Sequence, residues 1–317
     1  MTRFALTRLL QMAVVLAVMS FIIYTLIGLM PGDPIDLMIA SDPHLTSADA
    51  IRLKALYGLD RPLLERYLAW AQAALHGNFG YSRLYEQPAL AILGPRLVNT
   101  ALLMGTSLAL ALGLAVPLGI AAARRPGSAF DGVVNFIAFA FISVPSFWLA
   151  LMLIYVFAVA LGLFPPGGIA TVGDGGVLDR AEHLVLPVAT LTLATMGAHL
   201  RYARAAMIEA LGQDYVRTAR AKGASELRIL LRHALRNALI PIITVAALSM
   251  GTLFSGALVT ETMFAYPGMG KLIYDAILGN DYNLALAGLL LATAMTLLAN
   301  LAADIAYAAA DPRITLA

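Results

Sequence analysis

Three aspartates, Asp33, Asp36 and Asp42, follow Pro31 closely enough that their carboxylates could gather a cation. No histidine pair accompanies them at the spacing a metal site needs, and the five histidines of the chain are scattered. Neither HExxH nor GxSxG occurs, so zinc-dependent and serine hydrolysis both lack their usual residues. The absence of cysteine excludes thiolate nucleophiles, disulfides and Cys-ligated metals. There is no Walker A pattern, so this chain does not itself hydrolyse nucleotide. The sequence therefore leads to no catalytic residue, no metal ligand and no bound cofactor.

Two polar rows fall inside apolar surroundings. Thr192, Thr195 and His199 share one helical face, and Asn300, Asp304 and Tyr307 share another. Ionisable groups within membrane segments are functional candidates by default. His199 and Asp304, however, both fall near the ends of their segments, which favours an interfacial structural role for each. Few other acids lie inside the apolar runs, an argument against a carrier that couples to ions.

The densest charge is in "DYVRTARAKGASELRILLRHALRNALIP", Asp214 to Pro241. Six basic residues, Arg217, Arg220, Lys222, Arg228, Arg232 and Arg236, share its 28 positions with only two acids. "MIEALGQDYVRTARAKG" predicts a helix closing at Gly223, which tolerates the left-handed conformation that turns the chain. Ser225 and Glu226 then open a second helix running toward Pro241. Leu227, Leu230, Leu231, Ala234 and Leu235 are expected on one side of it, and Arg228, Arg232 and Arg236 form a row on another. Arginines suit lipid headgroups. The small residues of "TARAKG" have no value there, but they suit a helix that inserts into a groove on another protein. Docking is favoured over anchoring alone.

The elements that must position this segment are membrane spans. The 317-residue chain is 60% hydrophobic and 13% charged. Its mean hydropathy of +0.81 exceeds what a water-soluble core absorbs. Spans are expected at about 9–30, 100–122, 133–163, 184–200, 238–260 and 283–303, each near the ~20 residues that cross a bilayer. The first is read as an uncleaved span, because its apolar run outlasts a signal h-region and "LMPGDP" follows it. Alternate loops then carry 13 basic residues against 6 acids, net +7, and 8 against 13, net −5. By the positive-inside rule both termini and the segment 208–236 are cytoplasmic. The outer loop 31–99 predicts two short helices. Thr46 with Asp49 opens the first and Gly58 closes it; Asp60 caps the second, with Pro62 in its first turn and Gly77 at its end. "YLAWAQAALHG" suits an interface, and an outer cap against the spans is the favoured role.

Two spans hold candidates for a passage. Pro145, beside Ser143 in "FISVPSFW", must break the ladder of span three, leaving either a structural kink or a pore-facing helix. In span five Gly251 with Ser255, and Thr252 with Gly256 and Thr260, repeat small residues at i, i+4. They suit close helix packing, or a wall for a bulky solute; Ser143, Pro145, Thr252, Ser255 and Gly256 are the candidate passage residues.

The basic segment resembles the "EAA" loop of permease subunits in binding-protein-dependent ABC importers. Arg217-Thr218-Ala219 stands where Glu-Ala-Ala would be, with Gly223 after three further residues. "YVRTARAKG" is similar to the form found in the dipeptide/oligopeptide/nickel subfamily. The resemblance extends over the whole chain, through "LLQ" and "PGDP", "YGLDRP", "FISVPSFW", "LGLFPPGG", "ETMFAYPGMGKL" and "DPRI". It is to the first permease of such transporters, with its long outer loop after span one. It implies an all-α integral membrane protein with six transmembrane helices in a MetI-like permease fold, a single domain over 1–317, in a bacterial inner membrane. It also implies a heterodimer with a second permease, two ATPase subunits that use ATP and magnesium, and an extracytoplasmic solute-binding protein. Lipid surrounds the chain, and nucleic acid is not an expected partner. Tyr215, Arg217, Thr218, Ala219, Arg220, Ala221, Lys222 and Gly223 would form the ATPase-coupling element. The expected cargo is di- or oligopeptide; a nickel or glutathione importer of the same family, and an ion-coupled carrier or channel, are the alternatives.

Overall fold

The computed structural model of the chain describes residues 2–29, 61–173 and 175–310. In chain order its helices are α1 (Thr2–Gly28), α2 (Leu63–Leu75), α3 (Ala89–Ala123), α4 (Ala129–Ser143), α5 (Ser146–Leu153), α6 (Val177–Leu211), α7 (Asp214–Ala221), α8 (Glu226–Arg228), α9 (Leu235–Met263), α10 (Met269–Leu278) and α11 (Tyr282–Ala310). A π-helical stretch, Ile154–Ala160, continues α5, and another, Ile229–Ala234, joins α8 to α9. Among the described residues there is no strand, only an isolated bridge between Tyr81 and Pro88.

Among the described residues five helices are long and apolar enough to cross a bilayer, and α4 with the α5 segment makes a sixth if that bent pair is one span. The expected third span is broken at Pro145, as the sequence predicts, with its halves bent by 102°. Pro145 lacks the N–H that would continue α4, and it drives Val144 into an extended conformation (φ −87°, ψ 124°). Pro145 itself then caps α5, its carbonyl accepting from the Leu149 N–H at 3.0 Å.

Helix ends depart furthest from the expected spans. α3 begins at Ala89 rather than Thr100, and α6 runs from Val177 to Leu211 rather than from Leu184 to Leu200. The 35 residues of α6 extend about 52 Å at helical rise, well beyond the ~30 Å of hydrocarbon. An apolar run marks the part of a helix meant for lipid; it says little about how far helix-forming polar residues carry the helix beyond. Pro241 likewise does not end its helix but sits inside α9.

The chain divides into two compact units, Met1–Val98 with Lys271–Leu297, and Asn99–Gly270 with Leu298–Ala317. In the first, α2 packs on α1 through rings. Tyr67 meets Phe21 and Tyr24 edge-on, with centroids 5.1 and 5.6 Å apart, and its hydroxyl lies 2.8 Å from Ser20 Oγ. α2 starts at Leu63 with Pro62 as its N-cap rather than in its first turn, while Gly77 (φ +82°) turns the chain out of it, as the sequence predicts. The expected earlier helix at Thr46–Gly58, and the Asp60 cap, lie outside the described residues. Beyond Gly77 the segment up to Pro88 is pinned by Asp281, a buried acid. Its carboxylate accepts from Ser82 Oγ, from the Leu84 N–H at 3.0 Å and from the Leu284 N–H at 3.2 Å.

In the second unit α6 is the central strut. Its Leu186 and Leu191 pack with Leu103, Phe264 and Tyr266, while Met196 and Leu200 pack with Ala111, Ala115, Val134 and Ala138. Glycines set the approach: a Cβ on Gly197 would lie 2.5 Å from the Ala138 carbonyl oxygen, and one on Gly119 2.9 Å from that of Leu200. Close packing through small residues is therefore seen on α3 and α6. Arg204 grips the buried Asp131 of α4 with two hydrogen bonds, 2.5 and 2.7 Å, and Gly127 N–H and Asn135 Nδ2 complete that carboxylate's shell. A buried acid so fully satisfied is tolerable where a bare one would not be.

The turn after α9 holds a further buried acid. Glu261 has no exposed surface; Thr100 Oγ1 donates to its Oε1 at 2.5 Å, and Thr100 in turn accepts the Met269 N–H at 2.8 Å. A Cβ on Gly268 would stand 2.0 Å from the Glu261 carboxylate. Asn99 Nδ2 donates to the Pro267 carbonyl at 2.9 Å, and Gly168 N–H to that of Phe264 at 2.8 Å, so the turn is tied to α3 and to the loop before α6. Asp131, Asp179, Glu261 and Asp281 are all buried, each just beyond the end of an expected apolar run.

Candidate functional site

The basic segment folds as a short helix, a tight turn and the start of a long helix. Gly212 and Gln213 end α6, and Asp214, in the first turn of α7, places a carboxylate where the helix dipole favours one. Val216 and Ala219, three residues apart, are buried against Ile229, with Leu211 and Ala224 alongside. This inward stripe fixes the orientation of α7, leaving Tyr215, Arg217, Thr218, Arg220, Ala221, Lys222 and Gly223 exposed. Seven of the eight residues expected in the coupling element thus share one outward surface; Ala219 turns inward and holds the helix down.

The turn has the hydrogen bonds of a Schellman motif. Gly223 N–H donates to the Arg220 carbonyl at 2.9 Å, and Ala224 N–H to that of Ala219 at 3.1 Å. Gly223 has φ +78°, the left-handed conformation expected of it. Ala224 also meets Ala219 in the small cluster beneath, the apolar contact that commonly accompanies this motif. Across the turn, Arg220 Nε and Nη2 donate to Glu226 at 2.7 and 3.0 Å. Those bonds raise the guanidinium pKa above its ordinary value, so Arg220 stays charged throughout the physiological range.

The second helix departs from its expected face. Leu230 and Ala234 pack with Ala123, Met207, Ala210 and Ala238 as predicted. Leu227 and Leu231 are instead exposed, because the π-helical turns of Ile229–Ala234 shift the register between them. Arg228, Arg232 and Arg236 are exposed, as expected.

The candidate passage residues fall at the break between α4 and α5 and on α9. Ser143 is exposed at the end of α4, its hydroxyl returned to the Phe139 carbonyl at 2.8 Å, and Pro145 occupies the break just described. Thr252, Ser255 and Gly256 lie on α9, with their side chains outside the described residues. His199 is buried: Nδ1 lies 2.8 Å from the Thr195 carbonyl, and Nε2 has no hydrogen-bond partner among the described residues. No cluster of metal-ligating side chains occurs among the described residues, and Asp33, Asp36 and Asp42 lie outside them. Sequence reasoning missed Glu261 and Asp281. The available signal was an acid placed among glycines and turn residues, as in "ETMFAYPGMG".

Residues 115–316 match the family described as binding-protein-dependent transport system inner membrane component, and residues 1–101 match the model of its N-terminal part. The chain belongs to this family. It is 39% identical over 301 residues to the oligopeptide transport system permease protein AppB of Bacillus subtilis (strain 168), covering 94% of each chain. It is 33% identical to the dipeptide transport system permease protein DppB of Escherichia coli (strain K12), covering 93% of each. Among solved structures, a chain of the MetNI methionine ABC transporter in inward-facing conformations superposes with a TM-score of 0.56 at 20% identity. The match covers 70% of this chain and 97% of that one, and it shows a shared fold. The chain is thus a multi-pass inner-membrane transport component, as its sequence predicts.

Proposed function

We propose that this chain is the transmembrane permease subunit of an ATP-driven importer of di- or oligopeptides. It spans the membrane six times as one permease domain, with both termini and the segment 208–236 in the cytoplasm. It pairs with a second, similar permease, and the passage runs between them. Two ATPase subunits supply ATP hydrolysis, with magnesium, and a solute-binding protein outside delivers cargo. This chain's own part is mechanical. α7 and its glycine turn seat on one ATPase; closure of the ATPases displaces α7, and the rigid joint through Val216, Ala219 and Ile229 passes that displacement to α6 and α9. Ser143, Pro145, Thr252, Ser255 and Gly256 remain the candidates for lining the passage.

One observation carries this reading: in a chain of this family, the charged small-residue helix is held firmly from beneath while its outer surface is left free. Isolation of the tagged protein from gently solubilised membranes, with mass spectrometry of the chains that accompany it, tests the assembly. A second permease and nucleotide-binding subunits are expected. Recovery of the chain alone or as a homo-oligomer, in several mild detergents, would refute it in favour of a self-contained carrier or channel.

A further inference from the structure

Glu209 is an acid with no local cation. Its helical neighbours at i−4, i−3, i+3 and i+4 are Ala205, Ala206, Gly212 and Gln213, none of them basic. Its side chain is exposed and, among the described residues, makes no ion pair or hydrogen bond. It nevertheless stands in a segment with a large excess of arginine, whose other acids do have partners: Asp214 is 3.4 Å from Arg217, and Glu226 binds Arg220.

Glu209 lines a cleft of about 300 Å³ between the end of α6, the start of α7 and the first turns of α9. Gln213 and Tyr215 border it on one side, Asn237, Ala238 and Pro241 on the other. Pro241 has no N–H to give the Asn237 carbonyl four residues earlier, so the helix donor to that oxygen is missing at the cleft wall. The cleft thus combines a carboxylate and amide oxygens with apolar walls from Ala206, Ala238 and Pro241. Such walls suit the methylene stem of a lysine or arginine whose head pairs with the acid. The volume is at the lower limit for small-molecule sites and ample for one long side chain.

We propose that this cleft receives a basic side chain of the ATPase subunit, with Glu209 as its counter-ion. The inference rests on the coupling reading above, and Tyr215 supplies the continuity, since it belongs both to the cleft and to the exposed surface of α7. The partner is then held at two points, by the basic face of α7 and by an acid behind it, which resists sliding along α7.

Because the chain has no cysteine, single thiols report cleanly. In the whole complex in native membranes, Gln213→Cys and Ala221→Cys are labelled with a benzophenone maleimide and irradiated. Both are expected to cross-link to the ATPase subunit. Adding Glu209→Lys should reduce the Gln213→Cys adduct at least about fivefold through like-charge repulsion, and Glu209→Asp should preserve it. An adduct from Ala221→Cys alone would overturn the cleft proposal and leave the coupling reading standing. Adducts from neither position would overturn both. A Gln213→Cys adduct with the second permease, or one indifferent to Glu209→Lys, would also overturn the proposal.

Discussion

Two turns in this protein depend on glycine for opposite reasons. At Gly223 the backbone is left-handed, φ +78°, yet a Cβ there would meet nothing within 4 Å. At Gly268 the backbone is ordinary, but a Cβ would fall 2.0 Å from the Glu261 carboxylate. The first glycine answers to the chain's own conformation and leaves its surroundings open. The second answers to a neighbour and closes its surroundings. An open turn beside an exposed basic helix leaves room for another protein; a filled turn around a buried acid joins elements of the same chain.

The contrast sets an order of sensitivity to alanine. Gly268→Ala should do the most harm, because the methyl must displace a buried carboxylate together with its Thr100 hydrogen bond. A loss of about 3 kcal/mol or more is expected from overpacking and broken buried hydrogen bonds, read as thermal stability of the purified complex. A loss below about 1 kcal/mol would mean that Glu261 swings aside freely and that the joint is not fixed. Gly223→Ala should cost less, about 1–2 kcal/mol for a left-handed alanine, and Gly223→Asn should recover part of it because asparagine visits that conformation readily. Equal stability for the two Gly223 variants would show that the turn can adopt another geometry.

The same contrast explains what the sequence could disclose. Gly77 and Gly223 were legible because helix-ending glycines act locally, and a run of helix formers before each is enough to predict them. The apolar runs disclosed which segments enter lipid for the same reason. Glu261 was not legible: its burial depends on Thr100, far away in sequence, and on two glycines whose role is only to stay out of its way. The start of α3 at Ala89 and the length of α6 were missed because hydropathy reports the lipid-facing middle of a helix and is silent on its ends. The exposure of Leu227 and Leu231 was missed because π-helical turns break the 3.6-residue period on which face assignment relies. Within α7, the inward turn of Ala219 follows from its spacing to Val216, a relation visible only once Ile229 is placed beneath them.

The central claim is that α7 and its turn carry force between this chain and an ATPase. It is tested most directly by ATP-driven uptake of a labelled dipeptide into inside-out-free, right-side-out vesicles bearing Gly223→Glu, with membrane insertion of the variant measured alongside. The account predicts that insertion is retained and uptake abolished, because an added carboxylate disrupts the left-handed turn and stands in the open space where the partner must seat. Uptake at the unsubstituted rate, from a variant inserted to the same level, would contradict it.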